Sequence, residues 1–458
     1  MKTTIHIGDC LEVLRTLPAG SVQTCITSPP YWGLRDYGTA SWVGGDPGCD
    51  HSCGTIRNDK GSATLHDGGA KAHGAGLAYY RDICAKCGAK RSDSQIGLEK
   101  TPEDHIAVMV EVFREVRRVL RDDGTLWMNY GDAYASTQKG SGGPSEKQDS
   151  NKGSRYPPVK FTLPPGLKPK DLIGMPWRVA LALQADGWWL RSSIIWAKGV
   201  SFCDTYSGSV MPESCRDRPT SAHENIFLMS KAPRYFYDAD AVREKGDTSA
   251  GTSSEFGNKN AAARNVKELT GNMAPGKMFT CSGHRNLRNV WVINPGGFPG
   301  AHFATFPPAL VEPCIKAGTS EKGCCASCGA PIRRVVEATG GTIGESWHDH
   351  DEMARLGIGQ RIEDNRAGDG TYARTTTGWE PTCDCEDAGE PVPCKVLDPF
   401  GGAGTAALVA DRLGRDAVLV ELNKEYAEMA RDRILADCPM FSSVELVGGC
   451  KEKPPRNK

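Results

Sequence analysis

Apolar residues recur at helical spacing in one long segment of the chain. The positions that share one face are Ile106, Met109, Phe113, Val116 and Leu120. Thr101 is a typical N-cap, and Pro102 fits the first helical turn because no backbone N–H is needed there. The pattern predicts an amphipathic helix that begins after Thr101 and ends at Gly124.

A short apolar run near the N-terminus ends at two consecutive prolines. Its apolar residues are Val22, Cys25 and Ile26. They predict a buried strand that stops at Ser28, because Pro29 and Pro30 lack the N–H that a strand needs. The stiff loop that follows presents the carbonyl oxygens of Ser28 and Pro29 beside the ring of Tyr31. This arrangement suits a flat ligand with an NH₂ group, and the alternative is a loop that simply ends the strand.

A Gly-rich segment, DPFGGAGT, separates a predicted strand from a predicted helix near the other end of the chain. The strand begins at Val396, and the helix runs from Thr405 to Leu413 with Gly414 as its C-cap. A second buried strand covers residues 417–420 and ends at Glu421. In such a βαβ unit, the Gly-rich turn lets the backbone approach a ligand at the helix N-terminus.

The acid at the end of the second strand fits a ribose. Glu421 follows Asp398 at nearly the ~20-residue spacing expected of an acid that binds ribose hydroxyls. The turn is not a P-loop, because no Gly-Lys-Ser/Thr follows, and its F-x-G-x-G-T pattern is not the dinucleotide G-x-G-x-x-G. The unit therefore indicates a nucleoside-containing cofactor, with a purely structural turn as the alternative.

Composition narrows the class of protein. The chain has 458 residues, of which 39% are hydrophobic and 24% are charged, which is enough for a large core. No apolar run approaches the ~20 residues of a membrane span, and the start MKTTIHIGDC lacks a signal-peptide pattern, so we expect a cytoplasmic protein. A net charge of −1 argues against indiscriminate nucleic-acid binding but allows a local basic groove.

The two motifs together resemble one enzyme family. F-x-G-x-G-T is similar to the S-adenosylmethionine motif of amino-methyltransferases, and TSPPY is similar to their catalytic tetrapeptide. The chain resembles the permuted β class of bacterial and phage DNA amino-methyltransferases, in which the tetrapeptide comes first. Over most of the chain, this resemblance implies an α/β fold with a seven-stranded Rossmann-like sheet, helices on both faces and a circularly permuted motif order. It also implies a site-specific enzyme that acts on double-stranded DNA in a bacterial or phage-infected cell.

The resemblance assigns catalysis to Ser28, Pro29, Pro30 and Tyr31. An exocyclic amine is a poor nucleophile because its lone pair is delocalised into the ring. If Ser28 and the Pro29 carbonyl accept its two hydrogens, the lone pair is freed to point at the sulfonium methyl. Tyr31 would stack on a base flipped out of the duplex. Trp32 is a second stacking candidate, with packing as the alternative.

The resemblance also implies a cofactor site. IHIGDCLEVL is similar to the family segment whose acid meets adenine, and HFATFPPALVEPCIKAG is similar to the segment beside the methionine moiety. The segments GTLWMNYGDAY and GWWLRSSIIWAKG resemble core strands. The residues expected to bind S-adenosylmethionine are Asp9, Cys10, His302, Phe303, Thr305, Asp398, Pro399, Phe400, Gly402, Gly404, Thr405 and Glu421.

Several of the 18 cysteines form close pairs, which in a long cytoplasmic chain favour metal over disulfides. The first set is Cys49, His51, Cys53, Cys84 and Cys87, with the fourth ligand open between His51 and Cys53. The second set is Cys325, Cys328, Cys383 and Cys385, with Cys324 and Cys394 as spares. We expect two structural zinc sites, and redox pairs or buried thiols are the alternatives. No H-x-E lies beside these cysteines, so neither metal is assigned to catalysis.

A Gly-, Ser- and Asn-rich stretch with a basic bias lies before HFATFPP, where this class usually carries target recognition. The candidate DNA-contacting residues are Arg264, Lys267, Lys277, Arg285 and Arg288. A solvated linker is the alternative.

These features predict an interrupted domain order. The segments in chain order are the core with the tetrapeptide (1–43), a zinc-ribbon-like insertion (44–98), a second core part (99–240), the recognition region (241–290), the core segment beside the cofactor (291–322), a second cysteine-rich insertion (323–394) and the cofactor-binding βαβ part (395–440).

The target base is the open question. ITSPPY resembles the cytosine-N4 signature, so cytosine N4 is favoured and adenine N6 is the alternative. Other rivals are a methyltransferase of RNA or of a protein amide, and a catalytically silent zinc protein that binds nucleic acid on this scaffold. A cognate restriction endonuclease is a candidate partner, and the sequence leaves the oligomeric state open.

Overall fold

The structure is a computed structural model that describes residues 1–33, 41–46, 48–49, 83–84, 86–92, 94–135, 138–139, 159–160, 163–198, 215–245, 284–296, 305–339, 373–386, 388–439 and 442–448. The chain forms two compact units. The first comprises Met1–Tyr237, Asn289–Pro331 and Cys385–Lys458, and the second comprises Asp238–Arg288 and Ile332–Asp384.

The elements are numbered in chain order. The strands are β1 (Lys2–Ile7), β2 (Val22–Thr27), β3 (Ser41–Val43), β4 (Lys90–Ser92), β5 (Leu120–Tyr130), β6 (Gln138–Lys139), β7 (Val159–Lys160), β8 (Trp189–Ala197), β9 (His223–Ser230), β10 (Glu244–Lys245), β11 (His284–Arg285), β12 (Val290–Val292), β13 (Ile332–Thr339), β14 (Ala373–Pro381), β15 (Lys395–Asp398), β16 (Asp416–Glu421) and β17 (Ser443–Gly448). The helices are α1 (Cys10–Thr16), α2 (Pro102–Val119), α3 (Met175–Ala185), α4 (Pro308–Gly318), α5 (Thr405–Arg412) and α6 (Lys424–Asp437), with a 3₁₀ helix at Asp240–Val242.

A nine-stranded sheet with the order β12-β8-β9-β5-β2-β15-β16-β1-β17 forms the centre of the first unit. All its neighbouring strands run parallel except β9, which is antiparallel to both β5 and β8. Every residue of β2 is buried, as expected for a central strand of a parallel sheet with both faces covered. The N-terminal strand β1 lies between β16 and β17 from the C-terminal part of the chain, which agrees with a permuted order.

Helices cover both faces of the sheet. A Cβ at Gly318 of α4 would lie 2.8 Å from Thr24 Oγ1, so α4 packs tightly on that face of β2. The next residue, Cys25, lies in a core cluster with Met109 and Phe113 of α2. Because successive side chains of a strand point to opposite faces, α2 and α4 lie on opposite sides. Helices α1 and α3 contact α2, while α5 contacts α4 and α6.

The predicted α/β class is confirmed, but the sheet has nine strands where the resemblance implied seven. The edge strands β12 and β17 are short or largely exposed. An edge strand packs against one neighbour only, so its apolar pattern is weak.

The helix predicted after Thr101 is present, but it ends at Val119 rather than at Gly124. The Thr101 side chain accepts a hydrogen bond from Asp104 N–H at 3.1 Å, as an N-cap does. Leu120 already pairs with Val22 of β2, and the segment to Tyr130 is a strand. Pairing with the sheet therefore overrides the helical spacing of Leu120.

The second unit contains an antiparallel hairpin of β13 and β14 and a short pairing of β10 with β11. Arg334 lies over the ring of Trp379, with its guanidinium carbon 4.3 Å from the ring centroid, and pairs with Asp238 at 3.1 Å. Arg374 pairs with Asp240 at 2.7 Å. Ion pairs therefore attach the 3₁₀ helix segment to the hairpin.

In the described part of the chain, no helix combines the length and apolar character needed to cross a membrane.

Candidate active site

The ends of several sheet strands surround one cavity of about 360 Å³ in the first unit. The carboxyl ends of parallel strands meet at one edge of a sheet, where α/β proteins bind ligands. Because β9 is antiparallel, its first residues reach the same edge. The predicted catalytic and cofactor residues that line the cavity are Asp9, Cys10, Ser28, Pro29, Pro30, Tyr31, Thr305, Pro399, Phe400, Gly402, Thr405 and Glu421.

The serine of the tetrapeptide is hydrogen-bonded to its tyrosine. Ser28 Oγ donates to the Tyr31 oxygen at 3.2 Å, and the Tyr31 hydroxyl donates to Glu224 Oε2 at 2.9 Å. Asn129 Nδ2 donates to the Tyr31 oxygen at 2.8 Å and to Glu224 Oε2 at 2.9 Å. Lys198 forms an ion pair with Glu224. Burial, with a further contribution from Glu224, raises the pKa of the Tyr31 phenol, so Tyr31 is a neutral donor at neutral pH.

One face of the Tyr31 ring is covered by another tyrosine. It stacks on Tyr130 with the centroids 4.7 Å apart. The Tyr130 oxygen lies 2.8 Å from His105 Nε2, and His105 Nδ1 lies 2.8 Å from Glu99 Oε2. Trp32 is buried and donates from Nε1 to the Glu99 carbonyl at 2.9 Å, so its role is packing rather than stacking on a ligand.

The Gly-rich turn and the acid at the end of β16 are directly connected. Gly402 has a φ of +49°, a conformation that favours glycine, and its N–H donates to Glu421 Oε2 at 2.7 Å. Asn423 N–H donates to Glu421 Oε1 at 2.8 Å. Each carboxylate oxygen therefore holds one backbone N–H and keeps acceptor capacity for a further donor. Burial raises the pKa of Glu421.

Two predicted cofactor residues lie behind the cavity wall instead of lining it. Asp398 is 1% exposed, and its Oδ1 accepts hydrogen bonds from Thr27 Oγ1 at 2.7 Å and Phe400 N–H at 3.1 Å. Its Oδ2 has no partner among the described residues. Burial raises the pKa of Asp398 to about 7. A Cβ at Gly404 would lie 2.9 Å from the Cβ of Ala430, so this glycine allows α5 and α6 to pack closely.

The residues that follow β1 both cap helix α1 and line the cavity. Asp9 Oδ1 accepts from Leu11 N–H at 2.9 Å and from Glu12 N–H at 3.1 Å, which caps α1. Burial, followed by the charge of Asp9, raises the pKa of Cys10 to about 12, so its thiol is neutral. His302 and Phe303 lie outside the described residues.

The two C-x-x-C-G pairs adopt the same backbone turn. Gly88 N–H donates to the Cys84 carbonyl at 2.9 Å, and Gly329 N–H donates to the Cys325 carbonyl at 2.8 Å. The glycines have φ values of +72° and +71°. A glycine after the second cysteine permits this tight turn, because it adopts a positive φ without strain.

In the described part of the first unit, each C-x-x-C-G pair lies close to a further cysteine. The first group is Cys49, Cys84 and Cys87, and the second is Cys325, Cys328 and Cys385. Within each group the sulfur atoms all lie within 4.8 Å of one another. His51 and Cys53 lie outside the described residues. Cys383 lies in the second unit. Cys324 and Cys394 belong to neither group.

Two of the predicted DNA-contacting residues are described, and both pair with one acid. Arg285 and Arg288 donate to Glu244 Oε2 at 3.0 and 2.9 Å. Arg264, Lys267 and Lys277 lie outside the described residues.

Sequence reasoning missed the polar residues that strands β5, β8 and β9 bring to the tetrapeptide. These are Asn129, Lys198 and Glu224. A signal was present for Asn129, because it interrupts the apolar residues of GTLWMNYGDAY, a segment that resembles a core strand. Ser94, Gln95 and Ile96, which follow the first cysteine group, also line the cavity and were not predicted.

A sheet of this kind, with a Gly-rich turn and an acid at the next strand end, defines an α/β protein with a ligand cavity at its strand ends. A family model described as DNA methylase matches residues 22–326 and 395–432. The Type II methyltransferase M.Cfr9I of Citrobacter freundii is 32% identical over 431 residues, which are 94% of this chain and 87% of that protein. M.SmaI of Serratia marcescens is 32% identical over 436 residues, 94% of this chain and 90% of that protein.

The chain therefore belongs to the DNA methylase family of S-adenosylmethionine-dependent amino-methyltransferases. Among solved structures, the cytosine-N4-specific PvuII DNA methyltransferase is 13% identical and covers 97% of this chain and 96% of its own, with a TM-score of 0.42. A likeness this low adds nothing to the fold that the strand order defines.

Proposed function

We propose that this DNA methylase methylates the N4 amine of cytosine within a specific site of double-stranded DNA. The observation that supports this most is that Ser28 lines the same cavity as Gly402 and Glu421. The serine tetrapeptide resembles the cytosine-N4 signature, whereas adenine enzymes of the class more often carry Asp or Asn at this position. Adenine N6 remains the alternative, because both amines pose the same geometric problem.

Catalysis in this proposal depends on hydrogen-bond acceptors. The side chain or carbonyl of Ser28 and the carbonyl of Pro29 hold the two hydrogens of the amine, which frees the nitrogen lone pair. The base leaves the duplex because its amine is otherwise paired. Since Tyr130 covers one side of the Tyr31 ring, we place the flipped base on the other side.

The residues at the strand ends fit S-adenosylmethionine, which supplies an electrophilic methyl group on its sulfonium. Glu421 keeps acceptor capacity on both oxygens and would bind the ribose hydroxyls. Asp9 would meet the adenine, and Thr305, with His302 and Phe303, would lie beside the methionine moiety. The remaining contacts come from the turn at Pro399, Phe400, Gly402 and Thr405.

Two structural zinc ions are proposed for the cysteine groups. With Zn–S bonds of ~2.3 Å, tetrahedral geometry places sulfurs roughly 3.8 Å apart. Cys49 Sγ lies 3.8 Å from Cys84 Sγ, which fits this spacing. His51 or Cys53 would complete the first site. Cys383, two residues before Cys385, would complete the second.

The remaining assignments are also proposals. Residues 241–290 would contribute to target recognition, and the domain bounds stay as the sequence predicts them. We expect a cytoplasmic enzyme, with a restriction endonuclease as a candidate partner.

One experiment tests the target base and the site together. The protein would be expressed in a host without DNA methylation, and the host genome would be sequenced by a method that distinguishes modified bases, with the empty host as control. N4-methylcytosine at one recurring sequence supports the proposal. N6-methyladenine would establish the alternative, and an unmodified genome would overturn both.

A further inference from the structure

Polar side chains from four segments form one hydrogen-bonded chain on the cavity wall. Ser28 and Tyr31 come from the loop after β2, and Asn129 comes from β5. Glu224 comes from β9, and Lys198 follows β8. All five line the cavity. The order of contacts is Ser28 to Tyr31 at 3.2 Å and Tyr31 to Glu224 at 2.9 Å.

The chemistry of the end groups fixes the direction of these hydrogen bonds. A carboxylate only accepts, and an amide NH₂ only donates. Because Asn129 Nδ2 donates to the Tyr31 oxygen at 2.8 Å, the phenolic hydrogen points to Glu224. The Ser28 hydrogen in turn points to the Tyr31 oxygen. The lone pairs of Ser28 Oγ are then available to a donor in the cavity, such as an amine.

We propose that Glu224 is the terminal proton acceptor of this hydrogen-bonded chain. Through Tyr31, it orients the Ser28 hydroxyl so that its oxygen accepts a hydrogen bond from the target amine. This inference rests on the proposed function. On methylation, the amine nitrogen would form a bond to the methyl group, whose bond to the sulfonium breaks to leave a neutral thioether, and one N–H bond of the amine breaks as its proton passes to Ser28 Oγ. The Ser28 proton passes to the Tyr31 oxygen, and the phenolic proton passes to Glu224 Oε2. Ser28 and Tyr31 end with the protons they need, and Glu224 becomes a neutral carboxylic acid.

The other carboxylates of the cavity are held elsewhere. Asp9 caps α1, and Glu421 accepts the backbone N–H groups of Gly402 and Asn423. The groups that face Glu224 are Tyr31, Asn129 from β5 and the cation of Lys198. Glu224 is therefore a positioning residue that acts on the reacting nitrogen through Tyr31 and Ser28.

The test is single-turnover methylation by the full chain with saturating cofactor and a DNA duplex that carries the target site. Glu224→Gln should lower the rate by roughly 100-fold, the scale of general acid–base catalysis, with unchanged calorimetric affinity for the cofactor. Tyr31→Phe should cause a similar loss. The double variant should be no slower than either single variant, because both break one chain. Glu224→Asp should recover part of the rate.

The matched control is Glu111→Gln, which removes the charge of an exposed ion pair with Arg15 and should leave the rate unchanged. A second measurement is independent of activity. Ultraviolet difference titration, with Tyr31→Phe as the reference, should show that Glu224→Gln lowers the pKa of the Tyr31 phenol, because a neighbouring anion is lost.

A Glu224→Gln rate equal to wild type, additive losses in the double variant, or an unchanged Tyr31 pKa would each overturn the inference. If Glu224→Gln fails to bind the cofactor, the methylation rate of Tyr31→Phe tests the inference instead. A wild-type rate for Tyr31→Phe would then overturn the inference. Failure of the proposed function looks different, because the wild-type enzyme itself would then methylate no cytosine amine.

Discussion

The backbone N–H of Gly402 donates a 2.7 Å hydrogen bond to the carboxylate of Glu421. Gly402 lies in the turn after β15, and Glu421 ends β16. This hydrogen bond connects the two parts of the proposed cofactor site directly. A change in the turn should therefore also move the acid that we assign to the ribose.

Replacing Gly402 by valine should weaken cofactor binding. Valine is strained at the φ of +49°, and relief of that strain would move the N–H away from Glu421. A strain of ~1–3 kcal/mol corresponds to a loss of affinity of roughly 5- to 150-fold in calorimetric titration with S-adenosylmethionine. Gly20→Val is the control, because Gly20 also has a positive φ but faces open space. Equal affinities for both variants would contradict the assignment.

Replacing Ser28 by alanine should slow methyl transfer without weakening cofactor binding. Loss of a directed acceptor should raise the barrier by roughly 2–4 kcal/mol, by analogy with removal of an oxyanion-hole donor. The measurement is kcat beside the calorimetric cofactor affinity. Ser21→Ala serves as control, since the Ser21 hydroxyl donates to the nearby Pro18 carbonyl in an exposed turn. Full activity of Ser28→Ala would mean that backbone carbonyls alone hold the amine.

Asp398 should make the stability of the cofactor-free protein depend on pH. Burial raises the pKa of Asp398 from 3.8 to about 7, so between these values the folded state binds a proton that the unfolded state has released. This contribution therefore favours folding less as the pH rises through that window. Asp398→Asn stays neutral and keeps Oδ1 as an acceptor for Thr27 and Phe400. Its melting temperature relative to wild type should rise from pH 4 to pH 7, and a constant difference would refute the burial argument.

The two cysteine groups should contain metal but differ in their effect on the cavity. Elemental analysis should find about two zinc ions per chain if each group forms one tetrahedral site. Replacing Cys84 and Cys87 by serine should remove one ion, weaken DNA binding more than cofactor binding and lower kcat, because Gln95 lines the cavity shortly after this pair. Replacing Cys325 and Cys328 by serine is the comparison and should remove the other ion with a smaller loss of kcat. An active protein without zinc would contradict the metal sites and favour the alternative that these cysteines are buried thiols.

Some of the fold could be predicted from the sequence because its signals are local. The strand, turn, helix and strand from Lys395 to Glu421 have nearly the predicted bounds. The strand that ends before Ser28 and the N-cap at Thr101 were also predicted. Each depends on residue types and spacing within a few turns of chain, such as a proline without an N–H or a glycine at positive φ.

Other features required the tertiary structure. Leu120 has helical spacing but pairs with Val22, so α2 ends earlier than the local pattern indicates. Gly404 fits a cofactor motif, yet its missing side chain accommodates Ala430 of α6. In both cases a partner distant in sequence decides the outcome.

The sequence by itself determined the two motifs, the α/β class and the residues at the ends of β2, β15 and β16. The tertiary structure alone decided which side chains meet the tetrapeptide. Asn129, Lys198 and Glu224 come together only because β9 runs antiparallel between β5 and β8, which brings its start to the edge where their carboxyl ends lie. Strand order depends on packing between residues far apart in sequence, so the pattern within one segment does not specify which strands become its neighbours.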